Sequence, residues 1–208
     1  MTAWSIIAEP QEEPVSLAEA KLHLRIDHSS EDELIQGLIV AARELAEKRR
    51  GERFIGCEWE LRLDRFPCSR DRLGCDSAAP CFDRNAILID RSPMGAVNEI
   101  TYVDVNGATQ TLSPSVYQVD VRSRVPRIAP NPDQAWPATS RVMHAVTIAL
   151  SLGYGDPSAV PARFKTAIKL MVGHWYTNRE AVVTGTISTE VDLTVDSLLG
   201  TDRLIRVR

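Results

Sequence analysis

The sequence has 208 residues, of which 44% are hydrophobic and 25% are charged. This is typical of one medium-sized globular domain, or of a domain that carries a large insertion. The net charge of −4 argues against tight nucleic-acid binding, which usually needs a basic excess or a basic patch. There is neither a signal-peptide pattern nor an apolar run near the roughly 20 residues that span a bilayer, so we expect a protein made in a cytoplasm, without membrane contact.

The first part of the chain predicts two helices. Residues 1–14 are interpreted as an N-terminal arm, because prolines and acids leave them little periodicity. Ser16 and Glu19 have the spacing of a capping box, which predicts a short helix ending near Arg25.

A longer helix is predicted between Ser30 and Gly51. Ser30 and Glu33 form a second potential capping box, and Gly51 is a suitable C-cap. Acids at the start of this helix and bases at its end match the helix dipole. Two neighbouring apolar stripes follow at helical spacing. One stripe is Leu34, Leu38, Ala41 and Leu45, and the other is Ile35, Ile39, Ala42 and Ala46.

The middle of the chain predicts strands. Apolar and polar residues alternate from Cys57 to Asp64, and short strands continue to Tyr154. Asn106-Gly107 predicts a hairpin turn with positive φ angles. Residues 122–141 hold four prolines and are expected to be loops.

The last part returns to helical periodicity. Pro161 is placed to begin a helix that reaches Asn178. Residues 181–190 are expected to be flexible, and residues 195–199 to form one or two helical turns. The final residues, 203–208, alternate basic and apolar side chains.

This order predicts an α+β fold with an insertion. Residues 15–56 and 156–200 are expected to form a helical core from both ends of the chain. Residues 57–155 are then a strand-rich insertion between the second and third helices. Residues 201–208 are interpreted as a C-terminal docking tail.

The residue patterns predict no catalytic site, cofactor or metal site. The chain lacks a His-Glu-x-x-His pattern, a nucleophile elbow and a phosphate-binding loop. Cys68, Cys75 and Cys81, with Cys57 or His28, are conceivable zinc ligands, but no Cys-x-x-Cys pair occurs. The expected state of these cysteines is a set of reduced thiols.

Several segments follow one another in a specific order: residues 14–25, the acid-capped long helix that ends near residues 49–51, and residues 59–61, 66–67, 100–104, 106–107, 153–155, 160–161 and 174–180. Taken in this order, they resemble the head–tail connector family of long-tailed phages and gene-transfer particles. The cysteine-bearing loop 68–84 does not resemble the family.

This resemblance implies a structural adaptor in the neck of a virion, made in the host cytoplasm. Such a subunit is expected to join a ring of about twelve copies beneath the portal protein. The ring extends the DNA channel without binding DNA specifically, and it contacts a stopper or tail-completion protein. A ring needs two different side faces, and we assign one of them to the second apolar stripe. That subunit interface consists of Ile35, Ile39, Ala42 and Ala46.

The resemblance also implies that the end of the chain engages the portal. By position, the expected portal-binding residues are Arg203, Leu204, Ile205, Arg206, Val207 and Arg208. The alternatives are another virion protein, such as a tail-completion protein, a small zinc-binding or regulatory module, and a hydrolytic enzyme.

Overall fold

The structure is a computed structural model that describes residues 2–67, 85–123, 125–179 and 188–200. Its contacts divide the chain into two compact units. We call residues 1–9 and 57–153 the strand unit, and residues 10–56 and 154–208 the helical unit. Together they confirm the predicted α+β class. No helix in the described ranges is long and apolar enough to cross a membrane.

The helical unit contains four described helices. They are α1 (Leu17–Leu24), α2 (Asp32–Arg50), α3 (Ala162–Thr177) and α4 (Ser188–Leu199). α2 and α3 each bury one apolar face against the other helices of this unit. At the centre of its core, the Phe54 and Phe164 rings stack with centroids 4.7 Å apart.

The two predicted capping boxes have different outcomes. The first is confirmed, because the Glu19 amide donates to the Ser16 hydroxyl at 3.2 Å and the Ser16 amide donates to the Glu19 carboxylate at 2.9 Å. The second is wrong, because α2 begins after Glu31, whose side chain makes no capping bond. Ser30 instead lies 2.8 Å from His28 Nδ1, a local partner within its own loop.

The end of α2 and the start of α4 test the predicted helix boundaries. Gly51 ends α2 with a φ of 75°, as its position predicted. α4 is longer than predicted and begins at Ser188, inside the segment expected to be flexible. Serines, threonines and aspartates reduce its helix propensity, whereas burial of Val195 and Leu199 favours the helix.

The described part of the strand unit contains two antiparallel sheets. The strands are β1 (Thr2–Ala8), β2 (Cys57–Leu63), β3 (Ile87–Leu88), β4 (Met94–Val103), β5 (Thr109–Thr111), β6 (Tyr117–Asp120), β7 (Arg127–Pro130) and β8 (Val146–Leu152). The larger sheet has the order β1-β2-β8-β4-β5, and the smaller one β3-β7-β6. In β2 and β8, alternate residues are buried, and Leu61 lies opposite Ile148.

Two strands were missed at the sequence level. β1 comes from the segment interpreted as an arm, and it pairs with β2 so that Trp4 lies opposite Leu61. β7 lies within the predicted loop and pairs with both β3 and β6. β1 depends on a partner distant in sequence, and β7 is too short to show a periodic pattern.

Candidate functional site

Helix α2 corrects the predicted subunit interface. The four residues assigned to a neighbouring subunit, Ile35, Ile39, Ala42 and Ala46, are at most 2% exposed. They pack in the core of the helical unit against residues of α3 such as Phe164 and Ile168. Side chains buried inside their own subunit have no surface to offer a neighbour, so this assignment is wrong.

The other apolar stripe of α2 lies at the surface. Leu34 is 41% exposed, Ala41 is exposed, and Leu38 and Leu45 are half-buried. Gly37 lies beside them, and a Cβ atom placed on it would have no atom within 4 Å. This outer stripe therefore presents a shallow apolar surface that another helix can approach closely.

A buried ionic cluster lies on the second half of α2. Glu47 accepts hydrogen bonds from Arg43 Nη1 at 3.2 Å, Arg53 Nη1 at 2.8 Å and the Phe54 amide at 2.8 Å. Arg43 also donates from Nε to Glu13 at 2.8 Å. The cluster therefore ties the segment before α1 and the segment after α2 to one face of α2.

The last arginines of α2 bind the end of α4. Arg50 Nη1 donates to the Leu199 carbonyl at 3.1 Å, and Arg50 Nη2 lies 2.9 Å from Glu52 Oε1. Arg49 forms an ion pair with Asp196 at 3.2 Å. A carbonyl at a helix end has no partner within its own helix, so Arg50 supplies one of the missing donors.

Glu52, the partner of Arg50, also contacts the segment before α3. The Tyr154 hydroxyl donates to Glu52 Oε2 at 3.0 Å. Burial, together with the nearby Glu52 carboxylate, raises the pKa of Tyr154 to about 12. The phenol is therefore a neutral hydrogen-bond donor at physiological pH.

A groove of about 620 Å³ lies between the segment before α1 and the α2 helix. We call it the acidic groove. Its apolar lining includes Val15, Leu17, Ile39 and Val40, and its carboxylates include Glu12 and Glu13. Burial raises the pKa of Glu13 despite its bond to Arg43, and the carboxylates of Glu47 and Glu44 raise it further. The groove is thus an apolar surface with an excess of negative charge.

The remaining predicted sites fall partly outside the described residues. The expected portal-binding residues 203–208 and the cysteine-bearing loop 68–84 both lie outside them. Cys57 is buried, and its sulfur accepts a hydrogen bond from the Trp59 indole nitrogen at 3.0 Å. No group of three or more metal-ligating side chains occurs in the ranges that the structure describes.

Sequence reasoning missed both the ionic cluster and the groove. A partial signal existed, because Arg43, Glu47 and Arg50 follow one another at helical spacing on the side of α2 that carries Ile39 and Ala46. Charged residues in that position are usually assigned to solvent. Their burial depends on Arg53 just after α2, and on Glu13 and the end of α4, which are distant in sequence.

The fold is shared with chains of known particles. One similar structure is described as the virion of a native gene transfer agent (GTA) particle, at 18% identity and a TM-score of 0.74. Another is the neck of an empty GTA particle computed with C6 symmetry, at 18% identity and a TM-score of 0.73. A third is the neck of a native GTA particle computed with C12 symmetry, at 16% identity and a TM-score of 0.69. Each alignment covers 99% of this chain and 97% of the other.

The sequence comparisons are consistent with this fold. No curated protein sequence matches the chain. A family model described as phage gp6-like head-tail connector protein matches residues 14–118. That match spans half of the chain, from the segment before α1 through both β4 and β5 into β6. The chain therefore belongs to the phage gp6-like head-tail connector family, whose members are structural connectors.

Proposed function

We propose that this connector forms a ring in the neck of a tailed virion or gene-transfer particle, at the junction of head and tail. The observation that carries the proposal is a fold match over 99% of the chain to neck structures. Two of those structures were computed with C6 and C12 symmetry, which supports a ring of about twelve subunits here. The role is structural and involves no catalysis, because the family is one of connectors.

In this proposal the ring lies between two partners. The portal protein is on the head side, and a stopper or tail-completion protein is on the tail side. DNA passes through the channel of the ring without specific binding. The net charge of −4 supports this passage, because an acidic subunit repels phosphates and leaves DNA free to move.

Residues 203–208 are the proposed portal contact. They combine three arginines with leucine, isoleucine and valine, which suits an extended segment that adds to a partner surface. They follow α4 closely, and Arg50 and Arg49 hold the end of that helix. The subunit therefore presents this segment from a defined point on the helical unit.

The outer stripe of α2 is the proposed contact between neighbouring subunits. A closed ring requires different faces to meet head to tail, and this stripe is an apolar face left over after the core is packed. Ala41→Glu should reduce the fraction of complete rings. Ala18→Glu is the matched control, since Ala18 is exposed on α1 outside the stripe. Equal loss of rings in both variants would contradict this assignment.

Electron microscopy of the purified protein mixed with purified portal rings tests the function as a whole. We expect a coaxial ring on the portal, with a subunit count that can be read from the images. Binding to a tail component and not to the portal would show instead a tail-completion protein. Absence of binding to either would overturn the neck assignment.

A further inference from the structure

The acidic groove has the composition of a site for a basic and apolar peptide segment. Val15 and Ile39 are at most 2% exposed, so the apolar surface that a segment can contact belongs to the half-buried side chains of Leu17 and Val40. A groove of about 620 Å³ accommodates several side chains. The apolar part favours aliphatic side chains, because their burial removes apolar surface from water.

The charge of the groove favours arginine or lysine in its occupant. The Glu13 carboxylate accepts a hydrogen bond from Arg43, and the Glu19 carboxylate accepts one from the Ser16 amide in the capping box. Glu12 is exposed, and no ion pair involves it among the residues that the structure describes. A cation that enters the groove therefore meets a carboxylate whose charge is not already balanced.

The position of α4 shows where a suitable segment of the same chain begins. Gly200 follows Leu199, and a Cβ atom placed on Gly200 would lie 3.4 Å from Arg50 Nη1. Arg50, Arg43 and Val40 follow one another on one side of α2 at spacings that bring helix side chains together. Gly200 and the acidic groove thus lie along the same side of α2.

The segment is long enough to cover this distance. From Arg50 to Val40, α2 rises by about 15 Å, at roughly 1.5 Å per residue. An extended chain of the length of residues 201–208 spans up to about 26 Å. The groove is therefore within reach of the segment that starts at Gly200.

We infer that the acidic groove binds residues 203–208 of its own chain before the subunit meets the portal. In an extended conformation, Arg203, Ile205 and Val207 share one face, and Leu204, Arg206 and Arg208 lie on the other. Ile205 and Val207 cover the apolar lining of the groove, and Arg203 on the same face meets its carboxylates. This inference rests on the proposed function in one respect, that the same segment is later transferred to the portal.

Photo-crosslinking of the full-length protein tests this inference without the portal. A benzophenone amino acid replaces Ile205, and mass spectrometry locates the crosslinks after irradiation. We expect crosslinks to residues 12–17 and 36–40 in a product of monomer mass, with a yield independent of protein concentration. Crosslinks spread over other surfaces, or products of dimer mass that increase with concentration, would overturn the inference.

Groove variants provide the controls. Val40→Asp places a charge in the apolar lining and should lower the crosslink yield about tenfold. Gln36→Lys, at an exposed lining position, should lower it less by repelling the arginines. Glu33→Lys, on the same helix outside the groove lining, should leave the yield unchanged. Circular dichroism verifies folding, and an unchanged yield in folded Gln36→Lys and Val40→Asp would exclude the groove.

The portal experiment remains separate from this test. Val40→Asp should still dock on the portal, because the groove is empty in the docked state. If the protein with an unchanged groove docks on the portal but gives no groove crosslinks, the inference is overturned and the proposed function is retained. If it gives groove crosslinks but does not dock, the inference is retained and the proposed function is overturned.

Discussion

The helical unit and the strand unit bury different kinds of side chain. Among the described residues, the buried charged side chains are Arg43, Glu47 and Arg50, and all three belong to α2. In the strand unit, the described core consists of apolar and aromatic residues on alternating strand positions. A buried charge that loses a partner is strongly destabilising, whereas apolar cores depend mainly on volume. The helical unit therefore holds the segments around α2 in one arrangement, at the cost of sensitivity to single polar substitutions.

Removal of Glu47 should produce the largest effect. Glu47→Ala leaves Arg43 and the Phe54 amide without their buried acceptor, so the free energy of unfolding should fall by about 3–5 kcal/mol. Urea unfolding followed by far-ultraviolet circular dichroism measures this loss. Glu44→Ala is the matched control, because Glu44 is 65% exposed and lies 3.9 Å from Arg43. Its loss should be below about 1 kcal/mol, and similar losses in both variants would refute a special role for burial.

Removal of the confirmed cap should have a smaller effect. Ser16→Ala deletes the acceptor for the Glu19 amide at the start of α1 and should cost about 1 kcal/mol. Ser30→Ala is the matched control, because the predicted capping bond of Ser30 is absent, and it should change the free energy of unfolding little. If urea unfolding gave the same loss of free energy for both variants, the capping bond would not explain the effect of Ser16→Ala.

The apolar core of the strand unit should respond to lost volume. Ile148→Val, at a fully buried position on β8, should cost about 0.5–1.5 kcal/mol. Ile6→Val on β1 is the matched control, since Ile6 is 43% exposed. We expect the control to stay within about 0.5 kcal/mol of the unmodified protein. Thermal and urea unfolding followed by tryptophan fluorescence measure both variants, and a larger loss for Ile6→Val would contradict the assigned core.

The pH dependence should differ in sign between one carboxylate of each unit. In the strand unit, backbone amides of Ala108 and Asn106 bind Asp104 and lower its pKa below the usual 3.8. The stability that it contributes is present above the unfolded-state pKa and is lost as the pH falls through the lower folded-state pKa. In the helical unit, burial raises the pKa of Glu13 above the usual 4.5, so its protonation favours the folded state as the pH falls.

Substitution of each carboxylate tests these signs. Asp104→Asn should make stability depend less steeply on pH in the acid range, because one destabilising protonation is removed. Glu13→Gln should make the dependence steeper, because one stabilising protonation is removed. Unfolding free energies measured from neutral pH down to about 3 separate the two cases. Slopes that change in the same direction would show that one sign is wrong.

The elements that were predicted correctly share a property. α2, β2 and β8 carry a hydrophobic period over at least seven residues, so their type is visible without any partner. β1 was missed because its pairing with the distant strand β2, and not its local pattern, makes it a strand, and β7 was missed because its 4 residues are too few to show a period. α4 was predicted too short, since its helix propensity is low and the burial of Val195 and Leu199 is a tertiary effect.

The sequence by itself determined the α+β class, the confirmed cap at Ser16 and the connector family, because these depend on local patterns and on ordered motifs. Only the tertiary structure decided which stripe of α2 is core. Both stripes are apolar at helical spacing, and packing in the helical unit selected Ile35 and Ile39 over Leu34. The burial of Arg43 and Glu47 was decided in the same way. The physical reason is that burial belongs to contacts between segments distant in the chain, which a local pattern does not contain.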